Sequence, residues 1–187
     1  MFLIIVHLLP QATGKAGSRL AGTDPKWQSQ IVVWRDELGI SPNYMPFDQL
    51  ELKVSGLKMT NRIRSLLNMV VAEKTKHVKK KTKKSLKSAI RNVVVDISQN
   101  PVRRSHTTKD GFAHTLCTGS RLVHLGLGRL VHPKEMLWLQ GHNPHSTNFP
   151  SNMKVEQIRK LAGEGMALPC LGVCIWAQFL IKGYPDP

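Results

Sequence analysis

A chain of 187 residues suits one domain, or one domain with a loose appendage. It is 41% hydrophobic but only 6% aromatic, with a mean hydropathy of −0.20, so it supports a core of modest size. The formal net charge of +15 favours a polyanionic partner, nucleic acid foremost, although a solvated basic protein without a specific ligand has the same composition. Three cysteines exclude a disulfide framework and indicate a reducing compartment, nucleus or cytoplasm.

Met1 to Leu9 is strongly apolar but lacks a basic leading region and a small-residue cleavage site. It is too short to cross a bilayer and reads as a buried strand, or the cut end of one; no transmembrane segment is expected. Gln11 to Lys26, rich in Gly, Ala, Ser and Thr, reads as a linker. Trp27 to Leu38 fits an amphipathic helix ended by Gly39, and Ser41-Pro42-Asn43 is turn chemistry. Leu50 to Val54 alternates like a strand closed by Ser55-Gly56. Asn61 to Glu73 places Ile63, Leu66, Leu67 and Val70 on one helical face, with Asn61 as the cap.

The charge is uneven. Residues 1–91 hold 17 Lys and Arg against 6 Asp and Glu, whereas residues 92–187 hold 10 against 6. Eight lysines fall between Lys74 and Lys87, and no acid lies between Glu73 and Asp96. Such a run repels itself and has little to bury, so it predicts a disordered, solvated arm or a frayed helix. Lysine is a point charge, so Lys79, Lys80, Lys81, Lys83 and Lys84 would hold phosphates without reading bases. A nuclear-import signal has the same composition. The chain thus divides into a partly helical, unassigned 1–73, a basic arm 74–91 and a second half 92–187.

The second half opens with the β-branched strand Asn92 to Gln99. Gly111 to Ser120 reads as a loop with a strand around Thr115-Leu116, and Gly126-Leu127-Gly128 as a turn. Pro133 suits the first position of a short helix that Gly141 closes, with His132 a poor cap. Val155, Ile158 and Ala162 share a face of a further helix that Gly163 ends. Gly163-Glu164-Gly165 is then a tight turn before an apolar helix from Pro169 to Leu180. Cys170 and Cys174 sit one turn apart in that helix and read as core residues. The expected fold is α+β: a small mixed or antiparallel sheet from residues 92–131 with flanking helices.

Two stretches of this half, Arg129-Leu130-Val131-His132-Pro133-Lys134-Glu135 through Leu139-Gln140-Gly141, and Gln157 through Ala162-Gly163-Glu164-Gly165-Met166-Ala167-Leu168-Pro169, resemble the last two conserved blocks of the DNA (cytosine-5) methyltransferases. Those blocks usually read R-x-L-T-P-R-E-x-x-x-L-Q-G and Q-x-x-x-x-G-N-A-[MV]-x-x-P. Thr115-Leu116, just upstream, resembles the Thr-Leu dipeptide of the family's target-recognition region. The resemblance covers roughly residues 92–180. It implies DNA as partner, with Arg103, Arg104, Thr115, Thr118 and Arg121 near the bases. It also implies S-adenosylmethionine as cofactor, lined in part by Gly163, Glu164, Gly165 and Met166. Glu164 stands where the family has Asn, exchanging a neutral amide for a carboxylate.

The family's nucleophile, a Cys in a Pro-Cys-Gln block, occurs nowhere in the chain; nor do its Glu-Asn-Val block and glycine-rich cofactor block. None of Cys117, Cys170 and Cys174 has the family's nucleophile context. The expectation is an incomplete methyltransferase-like protein, from a truncated or split gene or as one subunit beside a second chain carrying the catalytic half. A non-catalytic basic nucleic-acid-binding module is the alternative. His142, His145, Cys170 and Cys174 are zinc-ligand types, but the histidines lie on a proline-containing loop and the cysteines in an apolar helix. No metal site is expected.

Overall fold

The computed structural model describes residues 25–78, 82–101, 115–143, 145–165 and 167–182. Met1 to Leu9, most of the Gln11 to Lys26 linker, Lys79, Lys80, Lys81, Arg103, Arg104 and Met166 therefore lie outside the described residues. The elements run α1 (Pro25–Leu38), α2 (Pro46–Gln49), α3 (Asn61–Lys74), α4 (Lys83–Ala89), β1 (Val94–Asp96), β2 (Leu122–His124), β3 (Arg129–Leu130), α5 (Pro133–Leu139), α6 (Val155–Glu164) and α7 (Leu168–Lys182).

Helix α1 ends where Gly39 turns left-handed, at φ +64°, as the sequence predicts. Helix α3 is also where the periodicity puts it, but its cap is Thr60 rather than Asn61. The Thr60 hydroxyl accepts from the Ile63 amide at 3.3 Å, and Asn61 is already helical. Ile63, Leu66, Leu67, Met69, Val70 and Val71 are all buried, which makes α3 the central helix of the larger core. The buried Asn68 amide is satisfied by Asp48 at 2.9 Å and the Arg64 carbonyl at 3.0 Å, and its oxygen accepts from Phe47 N–H at 3.0 Å.

The latter part of the lysine run is helical rather than disordered. Thr82 and Ser85 cap α4 reciprocally, and the helix buries Leu86 on the same side as Ile90 just beyond it. Two apolar side chains four residues apart give even this basic segment a face to bury.

Leu50 to Val54 forms no strand. Leu50 is buried and Leu52 and Val54 pack partly against the core, so the alternation reports burial. The only ladder contact there is an isolated parallel bridge of Ser55 with Arg129, supported by Ser55 N–H donating to the Gly128 carbonyl at 2.8 Å.

The sheet is antiparallel, in the order β1-β2-β3, and lies within residues 92–131. Val95 pairs with Val123, and Asp96 with Leu122. Side chains alternate between faces. Val95 and Val123 enter the larger core with α1, α3 and α4, whereas Leu122 enters a smaller one with Leu116, Met136, Leu137, Ile158 and Ala162. The chain is thus α+β, its sheet a wall shared by two apolar clusters.

Helix α6 runs two residues further than predicted. Gly163 and Glu164 are helical, and the chain leaves the helix at Gly165 (φ −68°, ψ 145°). Gly163 therefore does not stop the helix. Ile158 and Ala162 are buried as expected, but Val155 is exposed. Helix α7 is apolar yet finds no cover among the described residues: Val173 is 68% and Trp176 58% exposed. Cys174 is accordingly exposed and Cys170 only partly buried, not the core residues the sequence suggested.

By length and composition, Val155–Gln178 passes for a membrane span, with mean hydropathy 1.2. Against that, α6 carries Glu156, Arg159, Lys160 and Glu164 and the helix breaks at Gly165. The described residues of α7 cover about 22 Å of helix, against a bilayer core of about 30 Å.

Candidate nucleic-acid interface

Residues 115–121 form a loop, not the expected strand, and its shape is set by one buried carboxylate. Asp96 accepts from the Ser98 amide at 2.9 Å, the Ser98 hydroxyl at 2.6 Å and the Ser120 hydroxyl at 3.0 Å. The Ser120 oxygen in turn accepts from Cys117 N–H at 2.9 Å, and the Ser120 amide donates to the Cys117 carbonyl at 2.9 Å. Asp96 and Ser120 are buried, so each bond replaces lost water. With both ends tied down, the tip turns outward: Thr115, Thr118 and Arg121 are exposed, and nothing lies within 4 Å of where a side chain on Gly119 would begin.

Helix α6 lies against this loop through Gly163. A β-carbon there would stand 2.2 Å from the Cys117 carbonyl oxygen and 2.3 Å from the Thr118 nitrogen. The glycine serves close backbone approach, a role that its sequence context as a helix terminator hid. Arg121 also reaches back to α6, 3.9 Å from Glu156, which pairs in addition with Arg159.

Helix α5 is fixed at both ends. At its start Arg129 grips Glu135 bidentately, both N···O distances 2.7 Å, and Glu135 accepts from His132 N–H at 2.7 Å. The Arg129 guanidinium foremost, aided by that amide, holds the Glu135 carboxyl down at about 2. His132 caps better than its type suggests, its Nδ1 accepting from Lys134 N–H at 3.2 Å. Burial, then the nearby Arg129, keeps the His124 imidazole below its ordinary pKa.

At the other end the buried Gln140 donates to the Gly165 carbonyl at 3.0 Å, and its own carbonyl accepts from Leu168 N–H at 2.8 Å. Gly141, left-handed at φ +86°, packs against Pro169, 3.1 Å from its missing β-carbon. The segments 115–121, 129–141 and 155–169 are thus brought into contact.

The site residues read from the sequence are only partly gathered. Gly163 and Gly165 lie at the Cys117 and Gln140 contacts. Glu164 is on the surface, 3.7 Å from Lys160. The Gln140 side-chain oxygen is buried without a hydrogen-bond partner beside Gly165. Lys83 pairs with Glu51 at 3.2 Å, and Lys84 is exposed on α4. Asp96 carries no mark in the sequence that distinguishes it from a surface residue, and Gln140, although part of the first resembling block, is given no role there. A cavity of about 330 Å³, lined by Leu38, Ile40, Tyr44, Ala72 and Lys76 among others, lies apart from these segments. Among the described residues no three His, Cys, Asp or Glu side chains gather as metal ligands.

Compared with known protein families, curated proteins and solved structures, the chain matches none.

Proposed function

We propose that this chain is a DNA (cytosine-5) methyltransferase-like protein lacking the catalytic blocks, acting on DNA in the nucleus or cytoplasm. In this reading the loop 115–121 and the basic residues contact DNA, while Gly163, Glu164, Gly165 and Met166, at and beyond the end of α6, contribute one wall of an S-adenosylmethionine pocket. The observation that carries it is the contact among the three resembling segments: Gly163 on the Cys117-Thr118 backbone, and Gln140 on Gly165 and Leu168.

The fit to the cofactor is partial. Gly165 and the unpartnered Gln140 oxygen offer polar contacts, but Glu164 faces Lys160 rather than Gln140. When bound, S-adenosylmethionine supplies the methyl group; this chain's residues orient it and hold DNA. The nucleophile would come from a second chain packing on the bare helix α7.

The test mixes the protein with a cytosine-containing duplex and labelled S-adenosylmethionine. Duplex binding without methyl transfer is expected, with transfer appearing once a polypeptide bearing the Pro-Cys-Gln block is added. Absence of duplex binding would sink the reading. The Glu164–Lys160 pair favours the second reading, a purely binding module. Duplex binding with no uptake of S-adenosylmethionine, with or without the second polypeptide, would select it.

A further inference from the structure

We propose that the outer face of α4 is a phosphate-binding ridge for duplex DNA, formed by Lys84, Lys87 and Arg91. This rests on the DNA reading above and names residues that the resembling blocks do not include. Leu86 and Ile90 are buried and fix which side of the helix meets the core. At 100° per residue, Lys84, Ser88 and Arg91 then fall on the opposite side, with Lys87 on the flank beside them. All four are exposed.

Arg91 lies in the turn that closes the helix, its N–H donating to the Ser88 carbonyl at 3.2 Å. That turn is firmly seated, because a β-carbon on Gly126 would stand 2.0 Å from the Arg91 carbonyl oxygen. The three cations are therefore carried on packed backbone.

The charge is uncompensated where it matters. No acid occurs in sequence between Glu73 and Asp96. Among the described residues, Lys84, Lys87 and Arg91 enter no ion pair, whereas Lys83, on the flank of the helix, is held by Glu51 at 3.2 Å. Side chains three or four residues apart on a helix lie about 5–6 Å from one another. Three cations within eight residues span about 10 Å of helix axis, a spacing of about 5 Å that lets them reach neighbouring phosphates of one strand. A serine in their midst adds a hydroxyl donor. Because the ridge has cations and no apolar flank, it fits a phosphate backbone better than an acyl-chain surface.

The experiment measures duplex affinity of the full chain across about 50 to 200 mM salt, for the wild type, the K84Q/K87Q/R91Q variant and E51Q. Glutamine preserves helix propensity, and far-ultraviolet circular dichroism checks the fold. The triple variant is expected to bind about ten-fold or more weakly, with a salt slope shallower by about 2 to 3. E51Q, which frees Lys83 beside the ridge, is expected to steepen the slope by up to about 1. Wild-type affinity and slope in the triple variant would overturn the ridge while leaving the DNA reading standing. A wild type that ignores the duplex would overturn both. So would preferential binding to phosphatidylserine vesicles, which would assign the ridge to a membrane surface.

Discussion

Glu51 is the only non-glycine residue among those described with a left-handed backbone, at φ 53°. That conformation costs an L-residue about 1–2 kcal/mol, and its exposed pair with Lys83 returns about 0–1 kcal/mol. Replacing Glu51 by Gly is therefore expected to raise the unfolding free energy by about 0.5–1 kcal/mol, read as a later urea midpoint. Glu135 gives the pH-dependent counterpart. Its carboxyl sits at about 2 in the folded chain against an ordinary 4.5, so protons bind the unfolded chain first. The contribution is complete above about 4.5 and is lost as pH falls toward 2. The carboxylate is 40% exposed, so solvent weakens the pair. R129Q is expected to cost about 1 kcal/mol at neutral pH, with wild type and variant converging in acid.

Helix α6 depends on the absence of a side chain at Gly163. A methyl there meets main chain, which cannot rotate away as a side-chain end does. G163A is expected to cost about 1–3 kcal/mol in thermal unfolding, by prising α6 from the 117–120 loop. Helix α7 behaves oppositely. Trp176 rests on little, so W176Q is expected to change stability by less than about 0.5 kcal/mol while reducing self-association in light scattering.

For the whole molecule, the wall shared through Val95 and Val123 on one face and Leu122 on the other ties the two clusters together. The change in tryptophan fluorescence, to which the buried Trp34 of the larger core contributes most, is expected to follow the same transition as circular dichroism, which sees every helix. Split transitions would mean that the clusters fold separately. What the sequence made legible follows from this architecture. Helices α1 and α3 and the extent of the sheet were readable because apolar spacing, end signals such as Gly39 and β-branched runs are all local pattern. Leu50 to Val54 misled because alternation records burial, and only a neighbouring chain makes a strand. The lysine run was legible only as an arm or a frayed helix, because its charge obscured Leu86 and Ile90, the residues that seat α4. At the candidate site, the glycines were visible as residues, but Gly163 packs against a loop over forty residues away, a relation no local window contains.

Helix α7 has a consequence inside a cell. It leaves the body at the two bonds of Gln140, to Gly165 and Leu168, and is apolar around its exposed length. Chaperones and degradation machinery engage surfaces of this kind. The lifetime of this protein would then be set less by its own unfolding than by how long that helix stays uncovered.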